Sequence, residues 1–533
     1  MYRKSIVSIL AAMALVPSLF AQNEGEDKGT LSSSFETNTT YYFNDEKTGA
    51  MAPDMKFGSN NYLKVDYVKG GFSFGTQVEL YLPALSGYFP MSLSGQRMAR
   101  YDYYAGFNSK GWDIRVGSLF EQFGSGLILR TYEDRTLGVN NALKGARVAY
   151  TFGDYLTVKG LYGLVRQDFD YDYNTSSSVA AADLSFSISN AAKLDNIDLS
   201  VEGSVVNKYE AISGEAKSPL TTGYSARLNF GTHGFILKGE YMDRKSDPGF
   251  YNANDTSRNR AIQVELGYSG YGFGALATFR QLKNASFQGY RGKTEMFTLI
   301  NYVPALTQQH TYMLATMNPY SPQADEIGGQ VDLFYNFKKG SVMGGKKGMK
   351  VHANFSTFYG KYLKDGELSA NTSLLFRDLT IDLERWWGKS VKMILYYTWQ
   401  TFNPNTIGKG NPENPSLLWD SHTVVADVTY KINRKNSLRF EVQHLYTQQD
   451  HKSWVAALVE YNLAPRWSVS IQDMWNYGQT NTHYINGSVG YSYGKVRAAL
   501  NAGRFKEGYL CSGGVCRMTP AYTGVNLSVI VMM

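Results

Sequence analysis

The feature that most constrains this chain is a period-two pattern, carried by segments whose connections are short and long in turn. From 31 to 43 the odd positions include Leu31, Phe35, Tyr41 and Phe43, and the even positions include Ser32, Ser34, Glu36, Asn38 and Thr40. Successive side chains on a strand point to opposite faces, so the segment has one largely apolar and one polar face. The pattern recurs. Leu63, Val65 and Tyr67 oppose Lys64 and Asp66; Phe72, Phe74, Val78 and Leu80 oppose Ser73, Gln77 and Glu79; Tyr101 and Tyr103 oppose Arg100 and Asp102; Ile114 and Val116 oppose Asp113 and Arg115. Alternation alone also fits a soluble sandwich, whose polar face meets water.

The connections decide between the two. Turns such as Lys69-Gly70-Gly71, Ser109-Lys110-Gly111, Gly153-Asp154 and Gly494-Lys495 alternate with long stretches near 45–58, 83–97, 121–144, 166–178, 207–222, 245–259, 283–325 and 402–419. Short turns at one end and long loops at the other are the signature of an outer-membrane barrel. The expected fold is all-β: a single closed up-and-down antiparallel transmembrane β-barrel over residues 22–533, with about 24 strands, give or take two. The short turns then face the periplasm, the long loops face outward, and an even count brings both chain ends to the periplasmic side. Aromatic residues beside the short turns, among them Phe72, Trp112, Phe152, Trp387, Trp467 and Tyr493, fit a girdle at the membrane interface.

The N-terminus is consistent with that location. Arg3 and Lys4 precede an apolar run from Ile6 to Phe20, and Ala21 supplies a small residue for cleavage, so residues 1–21 read as a secretory signal peptide for export to a Gram-negative outer membrane. No later apolar run is long enough for a membrane-spanning helix. Only about ten residues separate Ala21 from the first strand, too few for an N-terminal plug domain. The net charge of +7 is scattered among both signs without a basic stripe, which argues against nucleic acid as a partner. The partners expected are outer-membrane lipid, lipopolysaccharide, and an unidentified solute or partner protein.

Two regions break the alternation. In 120–145, FEQFGSGLILRTYEDRTLGVNNALKG, the apolar triplet Leu127-Ile128-Leu129 precedes the charged residues Arg130, Glu133, Asp134 and Arg135, with glycines at 124, 126 and 138. This loop starts on the outer side and is expected to fold into or over the lumen. Glu121, Arg130, Glu133, Asp134 and Arg135 are its candidate constriction residues, with the apolar triplet seated on the inner wall and the charges paired with lumen groups. The long extracellular loop 283–325 contains Val303-Pro304 and Asn318-Pro319, which interrupt strands; it is either a second inward or capping loop or the site of an extra hairpin. Other lumen charges are expected as solvated pairs in a wide, wet interior.

Cys511 and Cys516 are the two cysteines, spaced around Gly513-Gly514. In an oxidising compartment they read as a small disulfide loop. No metal-ligand spacing, nucleophile elbow or zinc-protease motif occurs; six of the seven histidines each sit alone on strands or turns, and His310 lies in the long loop without a neighbouring acid. No enzyme activity, metal or cofactor is expected. The segments at 120–145 and 510–533, LCSGGVCRMTPAYTGVNLSVIVMM, resemble a family of large outer-membrane barrel proteins of Bacteroidetes whose function is not assigned. That resemblance implies barrel, export and outer membrane, and supplies no substrate. The functional expectation is a passive channel or solute transporter with an inward-folded loop; the alternative is a non-conducting scaffold or partner barrel of a surface or secretion assembly.

Overall fold

The computed structural model describes residues 29–88, 97–166, 173–211, 218–247, 258–291, 298–361, 363–364, 367–368, 372–407, 417–512 and 515–533. The expected signal peptide at 1–21 lies outside these residues.

Twenty-four strands form one closed antiparallel sheet, as the alternation predicts. The first arc is β1 (Thr30–Phe43), β2 (Phe57–Lys69), β3 (Phe72–Tyr81), β4 (Met98–Ser109), β5 (Trp112–Leu119), β6 (Leu143–Phe152), β7 (Leu156–Arg166) and β8 (Tyr173–Ser187). The second is β9 (Ile197–Glu210), β10 (Leu220–Thr232), β11 (Phe235–Arg244), β12 (Asn259–Gly270), β13 (Phe273–Lys283), β14 (Asp325–Phe337), β15 (Met349–Lys361) and β16 (Ser373–Trp387). The third is β17 (Val391–Phe402), β18 (Trp419–Lys431), β19 (Asn436–Thr447), β20 (Trp454–Leu463), β21 (Trp467–Asn476), β22 (Asn486–Tyr493), β23 (Val496–Phe505) and β24 (Tyr522–Met532). Each strand pairs with its sequence neighbours. β1 pairs with β24 through Phe35↔Val531 and Tyr41↔Val525, which closes the ring and leaves no free edge.

The register explains the two faces. Tyr101, Tyr103, Val116, Tyr162, Tyr224, Leu266, Val424, Val442 and Ile471 are exposed on the outside, where a membrane would cover them. Glu79, Arg100, Asp102, Arg227, Glu240, Arg280 and Asp427, on the other parity, are buried inside. At the short-turn end Phe72, Trp112, Phe152, Trp387, Trp467 and Tyr493 are exposed as a girdle. That end is not uniformly tight. Between β8 and β9 a short helix, Ile188–Ala192, is capped by the Ser187 hydroxyl, which accepts from the Asn190 amide at 3.2 Å. Between β14 and β15 residues 338–348 form a longer connection.

The inner face departs from expectation where the long connections cover it, most extensively along one arc. Leu161, Val165, Val179, Ala181, Val206, Met242, Ala261 and Leu282 are buried on the inside of β7 to β9 and β11 to β13. These strands are apolar on both faces toward their long-loop ends, because there the inner face is covered by protein rather than by water.

Candidate functional site

Two long connections occupy the lumen. The first, residues 120–142, joins β5 to β6; the second, residues 284–324, joins β13 to β14 and contains no barrel strand among its described residues. The first folds as two small ladders, Gln122–Phe123 against Leu129–Arg130 and Glu133–Asp134 against Val139–Asn140. Its turn needs glycine. Gly124 has φ +57°, and a Cβ there would lie 2.5 Å from both Arg227 Cδ and Glu240 Oε2 on the wall.

Leu127, Ile128 and Leu129 are buried to within 1% and pack in one cluster with the inward apolar residues of β7 to β13. Burying each such side chain contributes roughly 1.5–3 kcal/mol. At the tip the Ser125 amide donates to Glu240 Oε2 at 2.7 Å. At the other extreme Arg135 lies 3.1 Å from Glu36 on β1, donates to Gln77 Oε1 on β3 at 2.9 Å, and covers the Tyr62 ring at 4.7 Å. Six strands separate β3 from β10, the strand of Arg227. The loop is therefore a chord across the lumen, attached at both ends.

The two loops meet edge to edge. The Arg130 amide donates to the Ile300 carbonyl at 2.7 Å, and Arg130 Nη1 to the Tyr302 carbonyl at 3.1 Å. Asn141 Nδ2 donates to the Leu299 carbonyl at 2.6 Å, and Asn301 Nδ2 to the Leu127 carbonyl at 2.9 Å. Tyr132 and Tyr302 pack edge to face, with centroids 5.0 Å apart. The second loop then continues along the opposite wall. The Leu314 amide donates to Gln443 on β19 at 2.9 Å, Asn318 donates to Ser421 on β18 at 3.1 Å, and Leu314 is buried against Leu445, Trp454 and Ala456.

The five candidate constriction residues divide by position. Glu121 stays at the wall, 2.9 Å from Lys159 and 3.3 Å from Arg147. Glu133 lies 3.5 Å from Arg135 and accepts from Gln77 at 2.6 Å. Burial pushes its carboxyl above the ordinary range, partly offset by Arg135. Arg130 and Asp134 do not pair with lumen charges as expected: Arg130 binds the backbone of the other loop, and Asp134 accepts from the Leu137 amide at 3.0 Å. These polar contacts hold the fold of the loops together.

Two further expectations are corrected. Not all lumen pairs are wet. Arg280 and Glu326, at the root of the second loop, are 2.7 Å apart and fully buried, and Lys208 lies 3.1 Å from Glu210 in a dry cluster with Asp247 and Arg291. The histidines are not apart from acids either. His310 Nε2 is 2.8 Å from Asp378, His352 lies 2.8 Å from Asp332 and 2.6 Å from Asp382, and His483 lies 2.6 Å from Asp473. His352 meets its acids on paired neighbouring strands and His310, in the second loop, meets its acid on β16, so separation in sequence hides both.

Beside the tip of the first loop is a cavity of about 600 Å³ lined by Glu202, Arg227, Lys238, Glu240, Gln263 and Glu265 among others. Arg227 is 2.6 Å from Glu202, and Lys238 is 2.9 Å from Glu265. Hydrophilic groups of both signs thus line the space that the loop leaves open. Among the described residues no helix is long and apolar enough to cross a membrane.

A membrane barrel carrying these loop segments matches one family model over residues 1–533. The chain belongs to DUF6029, a family of unknown function. No curated protein matches it in sequence. Among solved structures it is similar to the translocation pore of the P pilus usher PapC, at 10% identity over 94% of this chain and 99% of that one, with a TM-score of 0.44. It is similar to OccK9 (OpdG) of Pseudomonas aeruginosa at 13% identity over 84% and 100% of the two chains, with a TM-score of 0.39. It is also similar to the siderophore receptor PirA of Pseudomonas aeruginosa at 9% identity over 96% and 81%, with a TM-score of 0.42.

Proposed function

We propose that the protein is an outer-membrane channel for small polar solutes, with a lumen narrowed by the mated loops 120–142 and 284–324. One observation carries this reading: the first loop reaches from Glu36 and Gln77 to Glu240 across the lumen and leaves a charged, hydrophilic cavity beside its tip. A passage lined by paired charges of both signs admits water and polar solutes and excludes apolar ones. Export follows cleavage after Ala21.

The dry ion pair of Arg280 with Glu326 and the apolar seat under Leu127 to Leu129 favour a second reading, a permanently plugged scaffold for a surface assembly. Planar-bilayer recording on the purified chain separates the two. A channel gives a steady conductance that rises when residues 124–141 are deleted. Silence in both forms rejects the channel and leaves the scaffold.

The hairpin between β23 and β24 sets Cys511 directly opposite Cys516 in backbone register, which supports a disulfide that ties this loop. Thiol labelling of both residues in the unreduced protein would rule it out.

A further inference from the structure

Above the mated loops, on the side of the long connections, lies a second cavity of about 270 Å³. Residues 305–320 of the second loop form its floor and one wall. Tyr509 and Leu510, from the hairpin that carries the cysteines, form another, and Phe376 of β16 closes it. We propose that this cavity is a binding site for a neutral saccharide, one or two rings in size. The inference deepens the channel reading by naming a solute class, and it depends on that reading only for the role of the site in transit.

Charge comes first. None of the described lining residues is Asp, Glu, Lys or Arg. The one imidazole among the described lining residues, His310, is already engaged: Nδ1 meets the Tyr396 hydroxyl, and Nε2 meets Asp378 at 2.8 Å and Gln400 at 3.0 Å. A phosphate, an amino acid or a carboxylate would enter without a counter-charge, which is costly in a partly enclosed site.

The polar groups come next. The carboxamides of Gln308 and Gln309 and the hydroxyl of Thr307 line the cavity and make no hydrogen bond among the described residues. Each carboxamide offers both a donor and an acceptor. They match hydroxyl groups, which also do both. An apolar ligand would leave them unpaired.

The remaining wall is apolar and rigid. Phe376 and Tyr320 lie nearly parallel, 5.1 Å apart at 19°, and Tyr320 stacks in turn on Phe358 at 5.0 Å. The Tyr320 hydroxyl is held by Glu326. These buried rings back the wall, and the half-buried Pro319 and Tyr509 present its open part to the C–H face of a sugar ring, while the amides meet its hydroxyls. The volume falls just under the roughly 300–1,000 Å³ of drug-sized sites, which limits the occupant to one or two rings.

The test is saturation-transfer NMR on the detergent-solubilised full chain, which detects weak binding and needs no current. The probes are glucose, galactose and maltose, with glutamate, inorganic phosphate and uridine as comparators. At least one sugar should take up saturation while the charged probes do not. Gln308→Ala with Gln309→Ala should weaken its binding about tenfold, as the loss of two hydrogen bonds predicts. Tyr509→Ala should weaken it as well, and all variants should keep the wild-type heat-modifiable gel mobility. Absence of transfer to every sugar, equal transfer in the double variant, or stronger transfer to glutamate, phosphate or uridine overturns the proposal. A chain that conducts but binds no sugar loses this inference and keeps the channel. A chain that binds sugar but does not conduct loses the channel and keeps the site.

Discussion

At the scale of single residues the lumen is organised by side chains that bind backbone. Asn301 donates to the carbonyls of Leu127 and Ala285, and Asn141 donates to Leu299 while accepting from the Tyr132 amide. Two asparagines thereby satisfy backbone groups that a loop inside a barrel would otherwise bury unpaired. Glu133 behaves differently because it titrates. Burial raises its carboxyl pKa above the ordinary 4.5, so the docked loop holds the proton to higher pH than a free loop does. The stabilisation of docking is therefore full below about 4.5 and is lost as pH rises through the raised value. Open-channel current should fall as the bath is acidified through that window. Glu133→Gln, which cannot ionise, should hold the low-pH current at neutral pH as well. A variant with the wild-type pH profile would remove Glu133 from this role.

At the scale of elements, the first loop is a small fold of its own that borrows its core from the wall. Its triplet Leu127-Ile128-Leu129 packs with Phe123 of the same loop and is buried mainly by Leu161, Val165, Val206, Met242 and Leu282 on four strands. Leu127→Ala should weaken docking by about 2–5 kcal/mol, because the rigid barrel wall cannot collapse around the missing atoms. Trypsin cleavage after Arg130 or Arg135 should then accelerate while the barrel keeps its folded gel mobility. Unchanged cleavage would mean that the polar contacts alone hold the loop. The same element shows what sequence discloses. The triplet was legible because it interrupts alternation, and the strand count was legible because every strand repeats one period. The seat was encoded too, in Leu161-Tyr162, Val205-Val206, Tyr241-Met242 and Ala261-Ile262, where both faces turn apolar. A doubled apolar pattern in a barrel strand marks an inner wall covered by protein, but it does not say by which loop. The partners of Arg130 and His310 were not legible, since Tyr302 and Asp378 come from segments far away in sequence.

At the scale of the whole molecule, the ring and its contents are secured differently. Closure rests on backbone pairing of β1 with β24. The contents rest on each other: the first loop seats on the arc from β7 to β13, the second on β18 to β20, and their shared edge is Arg130 with Ile300, Asn141 with Leu299, and Asn301 with Leu127. Deleting 124–141 removes that edge without removing any barrel strand, so the ring should form as before. The second loop then loses four hydrogen bonds and the apolar cover over Ile300 and Tyr302. A single cysteine at Asn301→Cys, placed in a chain lacking Cys511 and Cys516, reports the result. It should resist thiol labelling with the first loop present and label readily without it, since neighbouring elements that share an interface do not behave additively. The increase in conductance should then exceed what the volume of one deleted loop accounts for. Equal labelling in both backgrounds would make the loops two independent plugs, and the constriction would belong to each of them separately.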